Sequence, residues 1–121
     1  MPSMRINLKR VYETASQDDG VRILVDRLWP RGLSKGRAKV DLWLRDIAPS
    51  AELRRWFKHE PAKWDELKRR YFAELGENDG AVRTVFEEAS RSTVTLLFAA
   101  KDEERNNAVA LREYLLQSKS S

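Results

Sequence analysis

"TVTLLFAAKDEERNNAVALREYLLQ", residues 93–117, changes its period part-way along. Residues 93–99 form a nearly continuous β-branched and aliphatic run, the pattern of a strand covered on both faces. Beyond Asp102, which is placed as an N-cap, Ala108, Leu111 and Leu115 recur at helical spacing. A buried strand feeding a capped helix is a βα unit, and it puts the chain in the α/β class.

Three further runs read as strands: "INLKRVY" (6–12), "VRILV" (21–25) and "VDLWL" (40–44). The first alternates apolar and polar residues, as an edge or half-buried strand does, whereas "VRILV" is continuous like 93–99. Helices follow from "PSAELRRWF" with Ser50 as N-cap, from "PAKWDELKRRYFAELG" with Pro61 at its start, and from "DGAVRTVFEEAS". "SKGRAKV" predicts one helical turn capped by Ser34. Together these predict a single α/β domain over residues 1–121, frayed at 118–121. Its core is a mostly parallel sheet of about four strands flanked by helices on both faces. One connection resists this: Thr14–Gly20 is shorter than the dozen residues a parallel crossover usually needs. Either the first two strands are antiparallel or their crossover is reduced to a loop.

With no cysteine and the single histidine His59, the chain has no disulfide, no thiolate nucleophile and little material for a metal site, so neither metal nor cofactor is expected. No apolar run is long enough for a signal peptide or a membrane span, and a soluble, cytoplasmic protein is expected. The net charge of +4 is uneven. Residues 1–46 hold ten Lys/Arg against six Asp/Glu, while residues 47–121 balance at thirteen of each. Between Arg27 and Lys39 lie five cations and no acid, a local field that attracts anions.

Ligands of open α/β sheets sit beyond the carboxyl ends of the strands. The segments there are "DRLWPRG" (26–32), "RDIAPS" (45–50) and "AKDEERNNA" (100–108). If the strands are parallel, one rim collects Arg27, Arg31, Arg45 and Lys101 with Asn106 and Asn107 as anion-binding candidates. Asp26 and Asp46 would orient an arginine or serve as a base, and the helix starts at Ser50 and Asp102 would add backbone N–H groups. Each residue also has a plainer use: ion pairing for the aspartates, capping for Asp102, loop bracing for Trp29. His59, in "WFKHEPAKW" (56–64), is either a proton shuttle or part of an exposed linker. Five glycines and no glycine-rich loop mean that an anion site here must be built from side chains.

The blocks "VDRLWPRGLSK", "DLWLRDIAPSAELRRWFKHEPAKWDELKRRYFAEL" and "VTLLFAAKDEERNNAVALREYL", in this order, resemble the YeaO-like branch of the domain-of-unknown-function 488 family from Ile6 to about Leu115. The resemblance implies a small bacterial α/β protein with no assigned activity. Relatives tend to carry a Cys-His-Arg element after the last strand, where this chain has Asn106 and Asn107. Thiol or imidazole chemistry therefore does not transfer, although Asp26 and Arg27 match the family's pattern.

Three functions fit these residues. The first is a cationic pocket at the strand ends for a phosphorylated or carboxylated small molecule. The second is a nucleic-acid module in which Arg31, Lys35, Arg37 and Lys39 of the loop 27–39 follow a phosphate backbone and Trp29 stacks on a base. The third is an accessory protein whose basic loop docks on an acidic partner.

Overall fold

A computed structural model describes residues 4–118. Its sheet holds β1 (Ile6–Arg10), β2 (Val21–Leu24), β3 (Leu42–Trp43) and β4 (Val94–Phe98), in the order β1-β4-β2-β3 with every pair parallel. The continuous apolar runs occupy the two central positions, and all five residues of β4 are buried. The alternating β1 and the two-residue β3 take the edges. Five helices complete the fold: α1 (Lys35–Ala38), α2 (Ala51–Phe57), α3 (Trp64–Gly76), α4 (Asp79–Arg91) and α5 (Asn107–Ser118). The last three residues of the expected frayed tail lie outside the described residues.

The two faces of the sheet are covered unequally. Ile6, Ile23, Val25, Val94, Leu96 and Phe98 point into the larger core, where α2 to α5 supply Leu53, Phe57, Tyr71, Val85 and Leu111. Alternate positions Leu24 and Leu97 face the other way, against Val11 and Ala38 of α1 and half-buried Trp29, Leu33 and Trp43. Period-two alternation thus sends one set of side chains to four helices and the other to a loop carrying one helical turn. Among the described residues no helix is long and apolar enough to cross a membrane.

The first two strands are parallel but not neighbours, because β4 lies between them. Their crossover is indeed reduced to a loop, residues 11–20, with one helical turn at Gln17–Asp19. Returning one strand length and crossing two strand spacings requires roughly 20 Å, and ten extended residues reach about 33 Å. Asp19 anchors this loop. Its carboxylate accepts from Lys9 Nζ at 2.8 Å, Arg22 Nη1 at 2.6 Å and the Ser16 N–H at 2.9 Å. Its carbonyl accepts from Thr95 Oγ1 of β4 at 2.7 Å. Arg22 then donates to the carbonyls of Ala38 and Lys39, closing the end of α1. Burial pushes the Asp19 carboxyl up, but the bonds from Lys9, Ser16 and Arg22 outweigh it and leave the group below its ordinary range.

Candidate functional site

Parallel strands end on one side, and beyond β2 and β4 the chain leaves a cleft of about 730 Å³. Asp26, the first residue past Val25, ties its elements together. One carboxylate oxygen accepts from the Ala99 N–H at 2.9 Å, the other from Asn107 Nδ2 at 3.1 Å. Asn107 also reaches the Val25 carbonyl at 2.9 Å, and the Asp26 carbonyl accepts from the Trp43 indole at 2.8 Å. One residue thereby joins β2, β3, the end of β4 and the start of α5. Burial raises the Asp26 carboxyl above its ordinary range, against the lowering effect of the Ala99 N–H, Asn107 and the charge of Arg54.

The lining is largely apolar, including Leu28, Pro30, Pro49, Phe57 and Leu67. Around it stand Arg27, Arg31 and Lys101. None of these three side chains has a carboxylate partner among the described residues. The Arg27 Nε is buried with no acceptor, as is the Arg105 Nε, which lies 3.3 Å from the Asp102 carboxylate. A buried donor without an acceptor carries a desolvation cost of roughly 1–3 kcal/mol.

Arg54 belongs to the same lining and was not legible as a site residue from the sequence. It lies about one helical turn before Phe57 on α2, so the packing of α2 brings both to one cleft. Tyr12 was also missed. It sits past β1, and its hydroxyl donates to the Arg31 carbonyl at 2.9 Å. His59 is exposed at the cleft edge in a left-handed backbone conformation, φ 55°, with its ring 6.0 Å from Phe57.

Other candidates fall elsewhere. Arg45 and Asp46 do not line the cleft, because β3 is a two-residue edge strand and its exit turns toward α4. Arg45 lies over the Trp43 ring at 4.0 Å, and the Asp46 carbonyl accepts from Asn78. The Ser50 end of α2 is closed by its own hydroxyl, which accepts from the Leu53 N–H, and by Glu74. Trp29 touches the cleft, but its indole N–H donates to the Leu33 carbonyl at 2.6 Å and its ring packs edge-on against Trp43 at 5.4 Å. Lys35, Arg37 and Lys39 are exposed on and beside α1, outside the cleft lining.

The expected cap of the last helix also changes. Asp102 closes a turn before the helix by accepting from the N–H groups of Glu104 and Arg105. Asn106 is the N-cap: it is buried, its Oδ1 accepts from the Val109 N–H at 3.0 Å, and its Nδ2 donates to the Asp102 carbonyl. Asn106 is therefore spent on the fold. Asn106→Ala should lower stability by about 0.5–2 kcal/mol, as loss of a cap does. Asp102→Ala should cost less, since its turn is exposed; parallel urea melts check the ranking.

The protein-family comparison matches residues 5–121 to the model described as the inactive DUF488-N3 subclade. The chain belongs to this family. Among its relatives, the uncharacterized protein YeaO of Escherichia coli (strain K12) is 41% identical over 112 residues, covering 93% of this chain and 97% of YeaO. The uncharacterized protein Rv3073c of Mycobacterium tuberculosis is 40% identical over 111 residues, covering 92% of this chain and 93% of that one. No solved structure matches significantly. For this DUF488-N3 member, the family match agrees with the YeaO-like resemblance of the sequence blocks, and Asp26 and Arg27 fall at the strand end that opens the cleft.

Proposed function

We propose that this protein binds a small organic anion, phosphorylated or carboxylated, in the cleft beyond β2 and β4, and releases it unchanged. The observation that carries this reading is the group of cations around an apolar cleft: Arg27, Arg31 and Lys101, without a carboxylate partner among the described residues, and Arg54, whose charge acts on Asp26. Guanidinium forks match phosphate and carboxylate oxygens, and the cleft volume suits a small molecule. Binding without turnover is favoured by a lining with no serine, threonine or cysteine among the described residues, in which His59, suited to proton transfer near neutral pH, is exposed at the edge. Asp26 has both carboxylate oxygens committed to structural donors. The family's description as inactive points the same way.

A thermal-shift screen of phosphorylated and carboxylated metabolites tests the reading. A ligand at 100-fold its Kd should raise stability by about 2.7 kcal/mol. Arg27→Ala and the exposed Arg54→Ala should each weaken that shift, and NMR should recover the ligand unchanged. A screen with no responding anion refutes binding, and a consumed ligand refutes the absence of turnover.

The nucleic-acid reading keeps Lys35, Arg37 and Lys39, which are exposed with no carboxylate partner among the described residues. It loses the stacking residue, because Trp29 is engaged with Leu33 and Trp43. Docking on an acidic partner would use the same cations. Lys35, Arg37 and Lys39 of that surface lie on and beside α1, outside the cleft, whereas Arg31 lines the cleft.

A further inference from the structure

The cleft is framed by more than charge. Among the described residues, two large hydrophobic side chains are strongly exposed: Leu28 at 71% and Tyr12 at 43%. Both line the mouth of this same cleft. A single exposed leucine is ordinary on a protein surface. Two large apolar side chains meeting at a cleft whose cations lack partners are a different case, because apolar surface and unpaired charge together match an amphipathic ligand.

The Tyr12 ring is also held in place. Arg10 donates to the carbonyls of Ala99 and Ala100 at 2.9 and 3.0 Å, which fixes its guanidinium at the end of β4. That guanidinium lies 5.1 Å from the Tyr12 ring centroid, and the Tyr12 hydroxyl donates to the Arg31 carbonyl. An exposed ring tied at its face and at its tip loses little freedom when a second ring packs on it. Leu28 directly follows Arg27 in the chain, so apolar contact and charge are adjacent at this edge.

Resting on the anion-binding reading, we propose that the ligand is an aromatic anion. Its planar ring packs at the mouth against Tyr12 and Leu28, while its single phosphate or carboxylate head engages Arg27 and Arg54. The aromatic ring supplies affinity through the apolar area it buries and through ring-on-ring contact. The head supplies orientation.

The test is calorimetric titration of the full chain with phenyl phosphate, ethyl phosphate and inorganic phosphate. Phenyl phosphate should bind at least ~10-fold more tightly than ethyl phosphate, the ratio that burial of one ring supports. In Leu28→Ala and Tyr12→Ala that preference should fall toward unity, with phenyl phosphate losing more affinity than ethyl phosphate. Both residues are exposed, so neither change threatens the core. Arg54→Ala should weaken both esters alike. Equal affinity for the two esters, or a preference that survives both apolar substitutions, overturns the aromatic assignment and leaves anion binding standing. No binding by any of the three, nor by benzoate or acetate titrated in the same way, overturns both.

Discussion

Gly20→Ala is expected to disrupt the fold, and Gly80→Ala to be tolerated. Gly20 stands where the short crossover enters β2, with φ 65° and ψ −136°, a conformation that costs an L-residue of order 1–3 kcal/mol. A Cβ there would lie 2.1 Å from the Thr93 carbonyl oxygen. That oxygen accepts from the Val21 N–H at 2.9 Å, the first bond joining β2 to β4. The clash is with backbone, so relief requires the two central strands to part. Strain and lost pairing together should exceed about 3 kcal/mol. Gly80 lies in the first turn of α4 with open space around its Cα, and alanine there should hold or raise stability by up to about 1 kcal/mol. Chemical denaturation of the two variants measures both. A Gly20→Ala protein as stable as the parent would mean that β2 does not lie beside β4 in this register.

Asp19→Ala should be nearly as damaging. Removing the carboxylate leaves Arg22 buried and charged without its partner, a change that typically costs about 3–5 kcal/mol. On a chain of this size the melting temperature would drop by roughly 10–20 °C. The pH dependence has a definite sign. Because the folded carboxyl lies below its ordinary range, its contribution is fully present above the unfolded value near ~3.9 and is lost as pH falls through the folded value. The parent should therefore lose stability in acid more steeply than Asp19→Ala. Asp26 works in the opposite direction: its raised carboxyl favours the folded state as it takes up a proton. Glu66 and Asp102, also held below the ordinary carboxylate range by Arg69 and Arg70 and by backbone N–H groups, leave Asp19→Ala an acid slope of its own. Identical acid slopes in the two proteins would remove Asp19 from its role as anchor of the crossover.

The class of fold was legible because it depends on periodicity, which is local. "TVTLLFA" and "VRILV" are apolar at nearly every position, and such strands belong at the centre of a sheet with both faces covered. The order β1-β4-β2-β3 was not legible, since it depends on a strand from the far end of the chain inserting between the first two. Asp19, Arg22 and Thr95 specify that insertion, but they are scattered in sequence and individually resemble surface residues. The same limit applies to the site. Asp26, Arg27, Arg31 and Lys101 could be read from strand ends, because a parallel sheet exposes all its carboxyl ends together. Arg45 and Asp46 were grouped with them by the same logic and lie elsewhere, because an edge strand of two residues does not carry its exit to the shared rim. Arg54 and Tyr12 reach the cleft from a helix face and from the end of β1, positions that only the packing of α2 and the β1–β4 pairing define. Asn106 and Asn107 illustrate the difficulty most sharply. They are adjacent and chemically identical, yet one closes a helix and the other braces Asp26.

On the proposed reading, anions bind in the cleft and not along the basic turn at residues 35–39. Backbone NMR of the full chain titrated with phenyl phosphate separates the two directly. Shift changes confined to Tyr12 and residues 26–31, 54–59 and 99–107, saturating together at one Kd, are the predicted result. Changes centred on Lys35, Arg37 and Lys39, with residues 26–31 and 54–59 unmoved, would contradict it.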